Sequence, residues 1–244
     1  MPRRHGDGAR AKATLTNVID RIIRPDADDA ARWTAHRIAQ ALDRALAGRG
    51  RASLAVSGGR SPWVMMADLF ALDLPWHAVD ILQVDERVAP DGDDQRNMTR
   101  IADLLDGTPA SEARVHPMAV AQGAAAAVRG YAELLAELGG PLDVVQLGLG
   151  EDGHTASLAP GDPVLDVRDA PVASTAHPFN GTTRVTLTYP ALDAAHEVVW
   201  LVTGSAKRGM ASRLAAGDPS IPAGRVRAPS QVLVLDREAA GPDG

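Results

Sequence analysis

A glycine-rich stretch in the second half of the chain combines an acid with an imidazole. Three glycines fall between residues 148 and 153, directly after the apolar run 144–147, and the same stretch contains Asp152 and His154. Glycine lacks a Cβ, so such a loop can turn tightly and bring backbone N–H groups close to a ligand. A histidine titrates near pH ~6.5 and can therefore accept and return a proton under neutral conditions. Because ligands of open α/β sheets bind at the carboxyl ends of strands, this loop is predicted to hold a proton-transfer residue beside a substrate.

Two plainer interpretations of this loop compete with that prediction. The glycine spacing matches the G-x-G-x-x-G dinucleotide fingerprint, but Glu151 and Asp152 would put two negative charges where a pyrophosphate should lie. Pro160 and Pro163 would also soon end the helix that the fingerprint requires. The other interpretation, a solvated histidine on a surface loop, is disfavoured because similar polar loops follow other predicted strands.

A second glycine turn has the composition of an anion site. The predicted strand 53–56 leads directly into Ser57-Gly58-Gly59-Arg60-Ser61-Pro62, and an apolar helix is predicted over 63–72. Free N–H groups at the start of a helix and the positive end of its dipole favour a bound anion. The turn lacks the Gly-Lys-Ser/Thr ending of nucleoside-triphosphate loops, so a monophosphate is the more natural ligand. A plain strand-to-helix turn remains the alternative.

Three charged residues follow the next predicted strand. They are Asp85, Glu86 and Arg87. Charges at the end of a buried strand are costly unless they serve a site or pair with each other. A helix is predicted over about 94–105, with Asn97 in its first turn. Asparagine in that position is a helix cap or local hydrogen bonder, or else a ligand residue, and the sequence leaves both open.

One lysine stands out against the basic composition. The chain has 25 lysine and arginine residues, and only Lys12 and Lys207 are lysines. Lys207 follows the predicted strand 197–202 and a Thr-Gly-Ser-Ala turn, which places it in the first turn of a helix that runs to about Ala215. A helix dipole disfavours a cation there, and a bound anion such as phosphate would offset that cost. Placement by chance is the alternative.

Composition limits the class of protein and its partners. At 244 residues, 45% of them hydrophobic, the chain can form one large domain, and residues 14–244 are predicted to be a single catalytic α/β domain behind a disordered tail, 1–13. The formal charge of −6 gives no reason to expect nucleic acid or an anionic membrane as partner. The absence of cysteine excludes disulfides and thiolate ligands and suits a reducing compartment, so a cytoplasmic location is expected. No apolar run approaches the ~20 residues of a membrane span.

Predicted strands and helices alternate along the chain. Helices are predicted over about 26–47 and 121–138, and the last strand, Gln231–Asp236, is expected to close the sheet. This alternation predicts an α/β fold built on a single doubly wound, mostly parallel sheet with helices on both faces.

The polar loops behind four predicted strands, together with Arg184 and Asn97, resemble those of the 6-phosphogluconolactonases in the glucosamine-6-phosphate isomerase superfamily. The resemblance runs over about residues 26–235, and its most specific part is Asp152-Gly153-His154-Thr155-Ala156-Ser157-Leu158 followed by Pro160-Gly161. It implies a Rossmann-like fold similar to that of glucosamine-6-phosphate deaminase. The implied activity is hydrolysis of 6-phospho-D-glucono-1,5-lactone to 6-phospho-D-gluconate, the second step of the oxidative pentose phosphate pathway.

The resemblance also implies how the candidate residues divide the work. His154 would transfer the proton, with Asp152 beside it. Asp85 and Asn97 would line the sugar pocket, and Arg87 would join the phosphate site or face the sugar acid.

The substrate phosphate would be held by a larger set of donors. By resemblance these are Ser57, Gly58, Gly59, Arg60, Ser61, Arg184 and Lys207. No metal and no organic cofactor is implied. The implied partner is a small sugar-phosphate lactone rather than nucleic acid or a membrane, and the expected state is a monomer, with a weak dimer as the alternative.

Residues in and near the same loop also distinguish a lactonase from other activities. The lactonases usually have an aromatic residue where Ala159 stands, and the deaminases have a glutamate there that assists the imidazole in ring opening. Ala159 cannot assist in this way, which favours a lactonase over a deaminating isomerase. A non-catalytic sugar-phosphate sensor would not need Asp152 and His154, and a Ser-His-Asp hydrolase would need a Gly-x-Ser-x-Gly elbow that the sequence lacks.

Overall fold

The computed structural model describes residues 19–242, so the predicted disordered tail at 1–13 lies outside the described residues. The strands are β1 Asp20–Arg24, β2 Ala52–Val56, β3 Val79–Gln83, β4 Asp85–Arg87, β5 Arg114–His116, β6 Val144–Leu147, β7 Val172–Ser174, β8 Arg184–Leu187, β9 Glu197–Val202 and β10 Gln231–Asp236. The helices are α1 Ala27–Arg49, α2 Arg60–Phe70, α3 Asn97–Leu105, α4 Ala124–Leu138, α5 Tyr189–Ala194, α6 Arg208–Ala215 and α7 Arg237–Ala240. Within this part of the chain every helix is too short or too polar to cross a membrane.

Seven strands form one parallel sheet in the order β1-β10-β9-β6-β2-β3-β5. Its inner strands β2, β6 and β9 are buried along their whole length, as expected for strands covered on both faces. Helices α1 and α2 contribute to the hydrophobic cluster on one face, and α4 and α6 to the cluster on the other. The predicted doubly wound, mostly parallel α/β fold is therefore confirmed.

The order of the strands reverses between β2 and β6. From β2 the chain proceeds outward to β3 and β5, whereas from β6 it proceeds outward on the other side through β9 and β10. Such a reversal leaves a crevice at the carboxyl ends of the two central strands, where ligands bind in open α/β sheets. The two glycine-rich loops, 57–61 and 148–154, follow these two strands.

The prediction of a single sheet misses a second, antiparallel sheet of three strands, in the order β4-β8-β7. In this small sheet Asp85 pairs with Thr186, and Arg87 lies directly opposite Arg184. Two of the predicted site residues on β4 are thus held beside a third, on β8, by backbone pairing.

The three charged residues predicted to lie in a loop after a strand instead form a strand of their own, β4, at the junction between the two sheets. Val84 donates its N–H to the carbonyl of Val56 in the large sheet at 3.0 Å, and its own carbonyl accepts from Leu187 of the small sheet at 2.8 Å. The chain therefore changes partners at Val84, and an apolar pattern that runs through this residue gives no local sign of the change.

The prediction that Gln231–Asp236 closes the large sheet is also wrong. β10 does not close the sheet, because β1 pairs with it in parallel along its outer side. β1 is only partly buried and has a charged residue at each end. An exposed edge strand of this kind lacks the apolar run by which inner strands are identified.

Four predicted helix starts shift by one to three residues; one of them is that of α4, which begins at Ala124 rather than 121, after a separate 3-10 turn. α2 begins at Arg60 instead of residue 63, because Pro62 needs no N–H partner in the first turn of a helix. α3 begins at Asn97 rather than 94, after a turn in which Arg96 N–H donates to the Asp93 carbonyl at 2.9 Å. Lys207 ends a short 3-10 turn directly before α6, rather than lying inside its first turn.

A buried acid joins two strands at the edge of the sheet opposite the crevice, where the strands begin. Asp143, directly before β6, accepts hydrogen bonds from the backbone N–H of Ser53 at 2.9 Å and from its hydroxyl at 3.2 Å, and it pairs with Arg49. The carboxylate therefore joins the start of β2 to the start of β6, the two strands between which the crevice opens.

Asp143→Ala is expected to lower the free energy of unfolding by ~1–3 kcal/mol, because the buried Ser53 N–H loses its acceptor. Urea denaturation measures the change. The control is Asp103→Ala, whose side chain is 64% exposed and 3.9 Å from Arg100, and which should alter stability by no more than ~0.5 kcal/mol. Equal effects of the two substitutions would contradict the anchoring role.

Candidate active site

A cleft of about 960 Å³ opens at the carboxyl ends of the central strands. The structure places every residue predicted for the site on its wall: Ser57, Gly58, Gly59, Arg60, Ser61, Asp85, Arg87, Asn97, Asp152, His154, Arg184 and Lys207. Residues far apart in the sequence are brought together here because their loops leave the same edge of the sheet. What each side chain can do follows from its neighbours.

The acid and the imidazole of the glycine-rich loop form a direct pair. His154 Nδ1 lies 2.5 Å from Asp152 Oδ1, and the backbone N–H of His154 donates to the same oxygen at 3.1 Å. This contact turns Nδ1 toward the carboxylate and leaves Nε2 for a ligand. Partial burial raises the pKa of Asp152, but its hydrogen bonds to His154 outweigh that effect and hold the pKa below its ordinary value. Asp152 is thus ionised at neutral pH and suited to orient the imidazole.

The loop around the His154–Asp152 pair is closed by its own backbone. Gly150 N–H donates to the His154 carbonyl at 2.9 Å, and Gly153 N–H donates to the Gly150 carbonyl at 3.1 Å. A Cβ on Gly150 would lie 1.9 Å from His154 Nδ1, and a Cβ on Gly153 would lie 2.8 Å from the Cβ of Ile221. The first glycine makes room for the side chains of His154 and Asp152, and the second lets the loop pack against Ile221.

Arg184 is a largely buried cation, 6% exposed, that keeps some donors free. Its Nε and Nη2 groups donate to the Phe179 carbonyl at 3.2 and 3.0 Å, and Nη1 lies 4.0 Å from Asp85 Oδ2. Burial lowers the pKa of Arg184, with Asp85 opposing the shift and Arg87 adding to it. Because a guanidinium has five N–H donors, the remaining ones can bind an anionic or carbonyl group.

Asp85, Asn97 and Arg87 form a connected polar group on the cleft wall. Asn97 Nδ2 donates to the backbone carbonyl of Asp85 at 3.0 Å and to its Oδ1 at 3.3 Å. Ser157 Oγ donates to Asp85 Oδ2 at 2.5 Å, and Arg87 Nη1 donates to Asn97 Oδ1 at 2.7 Å. Asn97 is therefore a local hydrogen bonder that faces the cleft, and it does not cap α3.

The cap of α3 comes from Glu86, whose role the sequence analysis does not predict. Its fully buried carboxylate accepts from the backbone N–H groups of Asn97 at 2.7 Å, Met98 at 2.8 Å and Arg87 at 2.9 Å. Gln83 Nε2 donates to it at 2.8 Å. An anion at this place satisfies first-turn N–H groups and the positive end of the helix dipole. Glu86 thereby fixes β4 and α3 relative to each other.

The predicted anion turn keeps the backbone donors at the start of α2 free of side-chain acceptors, although Ser57 N–H donates to Gln146 Oε1 at 3.1 Å. Ser57 Oγ already donates to the Gln146 carbonyl at 2.9 Å, and Ser61 Oγ lies 2.6 Å from Thr203 Oγ1. Gly59 precedes α2, and no side chain caps the helix. The first N–H groups of α2 are therefore free of a side-chain acceptor and suited to bind an anion.

Lys207 and Arg60 bring uncompensated positive charge to the cleft. Across residues 19–242, neither side chain takes part in a hydrogen bond or ion pair. Burial lowers the pKa of Lys207, with Glu151 opposing the shift and Arg60 adding to it. A half-buried ammonium without a direct ion pair among residues 19–242 is suited to a site that receives its anion as a ligand.

Phe179 also lines the site, and the sequence analysis does not predict it. Its ring centroid lies 4.8 Å from that of His154 in an edge-to-face arrangement, and it lines the cleft. A local signal exists: the chain has only two phenylalanines, and this one directly precedes Asn180-Gly181. Asn-Gly is the preferred sequence of a two-residue hairpin turn.

The donor set of the cleft suits an anionic organic ligand. Arginine, lysine and helix N–H groups bind phosphate and carboxylate oxygens. Among residues 19–242, no three histidine, aspartate, glutamate or cysteine side chains are grouped to hold a metal ion.

Comparison with known proteins assigns the chain to a family. Residues 25–235 match the model of the glucosamine-6-phosphate isomerases/6-phosphogluconolactonase family. The chain belongs to this family. A 6-phosphogluconolactonase of Rhizobium meliloti is 40% identical over 184 residues, which cover 72% of this chain and 79% of the relative. One from Mycobacterium tuberculosis is 34% identical over 236 residues, covering 89% and 96%.

A solved structure agrees with this assignment. The crystal structure of a 6-phosphogluconolactonase from Shewanella baltica has a TM-score of 0.81 to this chain at 26% identity, covering 89% of this chain and 97% of that one. The predicted resemblance and the predicted enzyme class, a lactonase-type hydrolase, are confirmed by the family's members. The matched region contains all of the predicted site residues.

The two glycines beside the His154–Asp152 pair should respond differently to alanine. In Gly150→Ala the clashing atoms are side-chain ends that can swing away, so the free energy of unfolding should change by less than ~1 kcal/mol. Gly153→Ala should cost ~2–4 kcal/mol, because φ is 85° and the clash is with the rigid Cβ of Ile221.

Urea denaturation of both variants tests this difference. Gly209→Ala on α6 is the control, because its Cβ would meet no atom within 4 Å. A larger loss of stability in Gly150→Ala than in Gly153→Ala would contradict the assignment of the first glycine to the site and the second to packing.

Proposed function

We propose that this protein hydrolyses 6-phospho-D-glucono-1,5-lactone to 6-phospho-D-gluconate in the oxidative pentose phosphate pathway. The observation that carries the proposal is the His154–Asp152 pair in a cleft where the side chains of Lys207 and Arg60 make no ion pair within residues 19–242. The anion site fits the phosphate of such a substrate. The proton-transfer group fits its lactone carbonyl, where a water molecule must be activated for attack. Relatives named 6-phosphogluconolactonase support the same reaction.

In the proposed reaction His154 acts first as a general base. Neutral Nε2 takes a proton from a water molecule as the water oxygen attacks the C1 carbonyl of the lactone. The C1–O bond to water forms, and the carbonyl electron pair moves onto its oxygen. Asp152 stabilises the imidazolium that results. General base catalysis of this kind contributes about 10²–10⁴-fold to the rate.

The tetrahedral intermediate then collapses with His154 as the acid. Its oxyanion is stabilised by the guanidinium donors of Arg184 or Arg87, which lie opposite each other on β8 and β4. The bond between C1 and the ring oxygen breaks, and the imidazolium returns its proton to that oxygen. The products are the open-chain acid and the enzyme in its starting protonation state, so neither a covalent intermediate nor a cofactor is required.

The phosphate is proposed to bind where free charge and helix N–H groups coincide. The start of α2, with Arg60, and the Lys207 ammonium form such a place, with Arg184 as a further donor to the substrate. Binding the phosphate away from C1 fixes the orientation of the ring at His154. We further propose that the protein is cytoplasmic, as the absence of cysteine suggests, and that it acts as a monomer.

His154→Ala should lower kcat by about 10²–10⁴-fold, because it removes the base. Asp152→Asn should lower kcat by about 10- to 100-fold, because the charged partner of the imidazole is lost. The assay follows proton release from freshly generated 6-phosphoglucono-δ-lactone above the spontaneous background. His36→Ala, on the exposed side of α1, is the matched control and should leave kcat unchanged.

Two results would overturn this assignment. Unchanged turnover in His154→Ala would remove the proposed base. A folded wild-type protein without lactone hydrolysis would reject the activity, and ammonia release from glucosamine 6-phosphate would then test for a deaminase.

The lowered pKa of Lys207 predicts a pH dependence of product binding. A lysine is charged below its pKa, so an ammonium with a lowered pKa loses its charge earlier as the pH rises above neutrality. Calorimetric affinity for 6-phosphogluconate should therefore fall between pH 7 and 10, where the phosphate itself stays dianionic. Lys207→Arg should bind with a constant affinity over this range, because its guanidinium stays charged. The same alkaline loss in Lys207→Arg would assign the effect to another group.

A further inference from the structure

Phe179 contacts two of the groups assigned to the reaction. Its ring lies edge-to-face against His154, with centroids 4.8 Å apart and an interplanar angle of 74°. Its carbonyl accepts hydrogen bonds from Arg184 Nε and Nη2 at 3.2 and 3.0 Å, and the guanidinium carbon lies 5.5 Å from the ring centroid. One residue thus joins the proposed base to a buried cation.

The backbone of Phe179 is held by a tight hairpin. Asn180 and Gly181 have φ values of 51° and 84°, the positive angles that a type I′ turn requires at both central positions. Phe179 N–H donates to the Thr182 carbonyl at 2.9 Å across the turn. The ring therefore projects from a hydrogen-bonded turn.

The imidazole needs such a second contact. Its bond to Asp152 fixes the direction of Nδ1, but the torsion about the Cβ–Cγ bond of a histidine has a broad minimum. A single hydrogen bond therefore leaves the tilt of the ring plane poorly defined, and with it the direction of Nε2. An aromatic ring packed at a steep angle to the imidazole restricts that tilt.

We propose that Phe179 is a positioning residue for the reaction. Its ring holds the plane of His154, and its carbonyl holds Arg184, so that the base and the cation keep one mutual geometry. The kinetic test of this inference rests on the proposed lactone hydrolysis. The chemical reactivity of His154 provides a second test, which can fail or succeed independently of that activity.

Phe179→Leu keeps an apolar side chain but removes the ring, while its carbonyl remains for Arg184. It should lower kcat by about three- to tenfold, the size of one edge-to-face contact, with KM changed by less than about twofold. Phe179→Tyr retains the ring and should restore kcat to within about twofold of the wild type. Thr182→Val is the matched control in the same hairpin, because its buried hydroxyl has no hydrogen-bond partner within residues 19–242, and it should leave both constants unchanged.

Reaction of His154 with diethyl pyrocarbonate, located by mass spectrometry, provides a readout that does not need turnover. The rate of modification should rise at least about threefold in Phe179→Leu and stay at the wild-type value in Phe179→Tyr. Wild-type kcat in Phe179→Leu, or an equal loss of kcat in Phe179→Tyr, would overturn the proposal. If wild-type protein fails to hydrolyse the lactone, the modification rates alone decide whether Phe179 positions the imidazole, and equal rates in all variants would reject it.

Discussion

The cleft depends on one constraint: parallel strands present their carboxyl ends at the same edge of a sheet. Successive parallel strands must then be joined by crossover connections, and the order of the strands in the sheet reverses once, between β2 and β6. The loops that leave these two strands cannot cover each other, so a crevice remains between them. Glycine-rich loops line this crevice, and the small antiparallel sheet brings Arg184 and Arg87 into its wall. The position of the site is thus a property of strand order, and the side chains determine only its chemistry.

Charge is arranged differently at the two edges of the sheet. At the amino ends, acids are neutralised within the protein: Glu197 lies 2.7 Å from Arg37, and Asp80 lies 2.8 Å from Arg114. At the carboxyl ends, Lys207 has a pKa lowered by burial and no ion pair within residues 19–242. The first edge therefore stabilises the fold with its own ion pairs. The second edge also has pairs of its own, His154–Asp152 and Arg184–Asp85, but the Lys207 ammonium is not part of either.

Local signals in the sequence predict more of the site than of the fold around it. A glycine turn behind an apolar strand is recognisable without knowing the partners of that strand, so the candidate residues can be found in advance. The antiparallel sheet cannot be predicted in this way, because it depends on the hydrogen bonds of Val84, which join Val56 in one sheet and Leu187 in the other. The capping role of Glu86 is non-local in the same way, since the capped helix begins eleven residues later, at Asn97. Phe179 has a local signal in its Asn-Gly turn, but only the folded chain shows its contact with His154.

The pairing of Arg87 with Arg184 across β4 and β8 has a thermodynamic consequence. Two guanidinium groups on directly opposed residues repel each other, and Arg87 contributes to the lowered pKa of Arg184. An anion that binds between or beside them relieves this repulsion only in the folded state. Metabolite occupancy and resistance to unfolding are therefore linked, and the empty protein is the more easily denatured species. If the site binds its sugar phosphate as proposed, the ligand would therefore also protect the chain from the unfolding that exposes it to proteases.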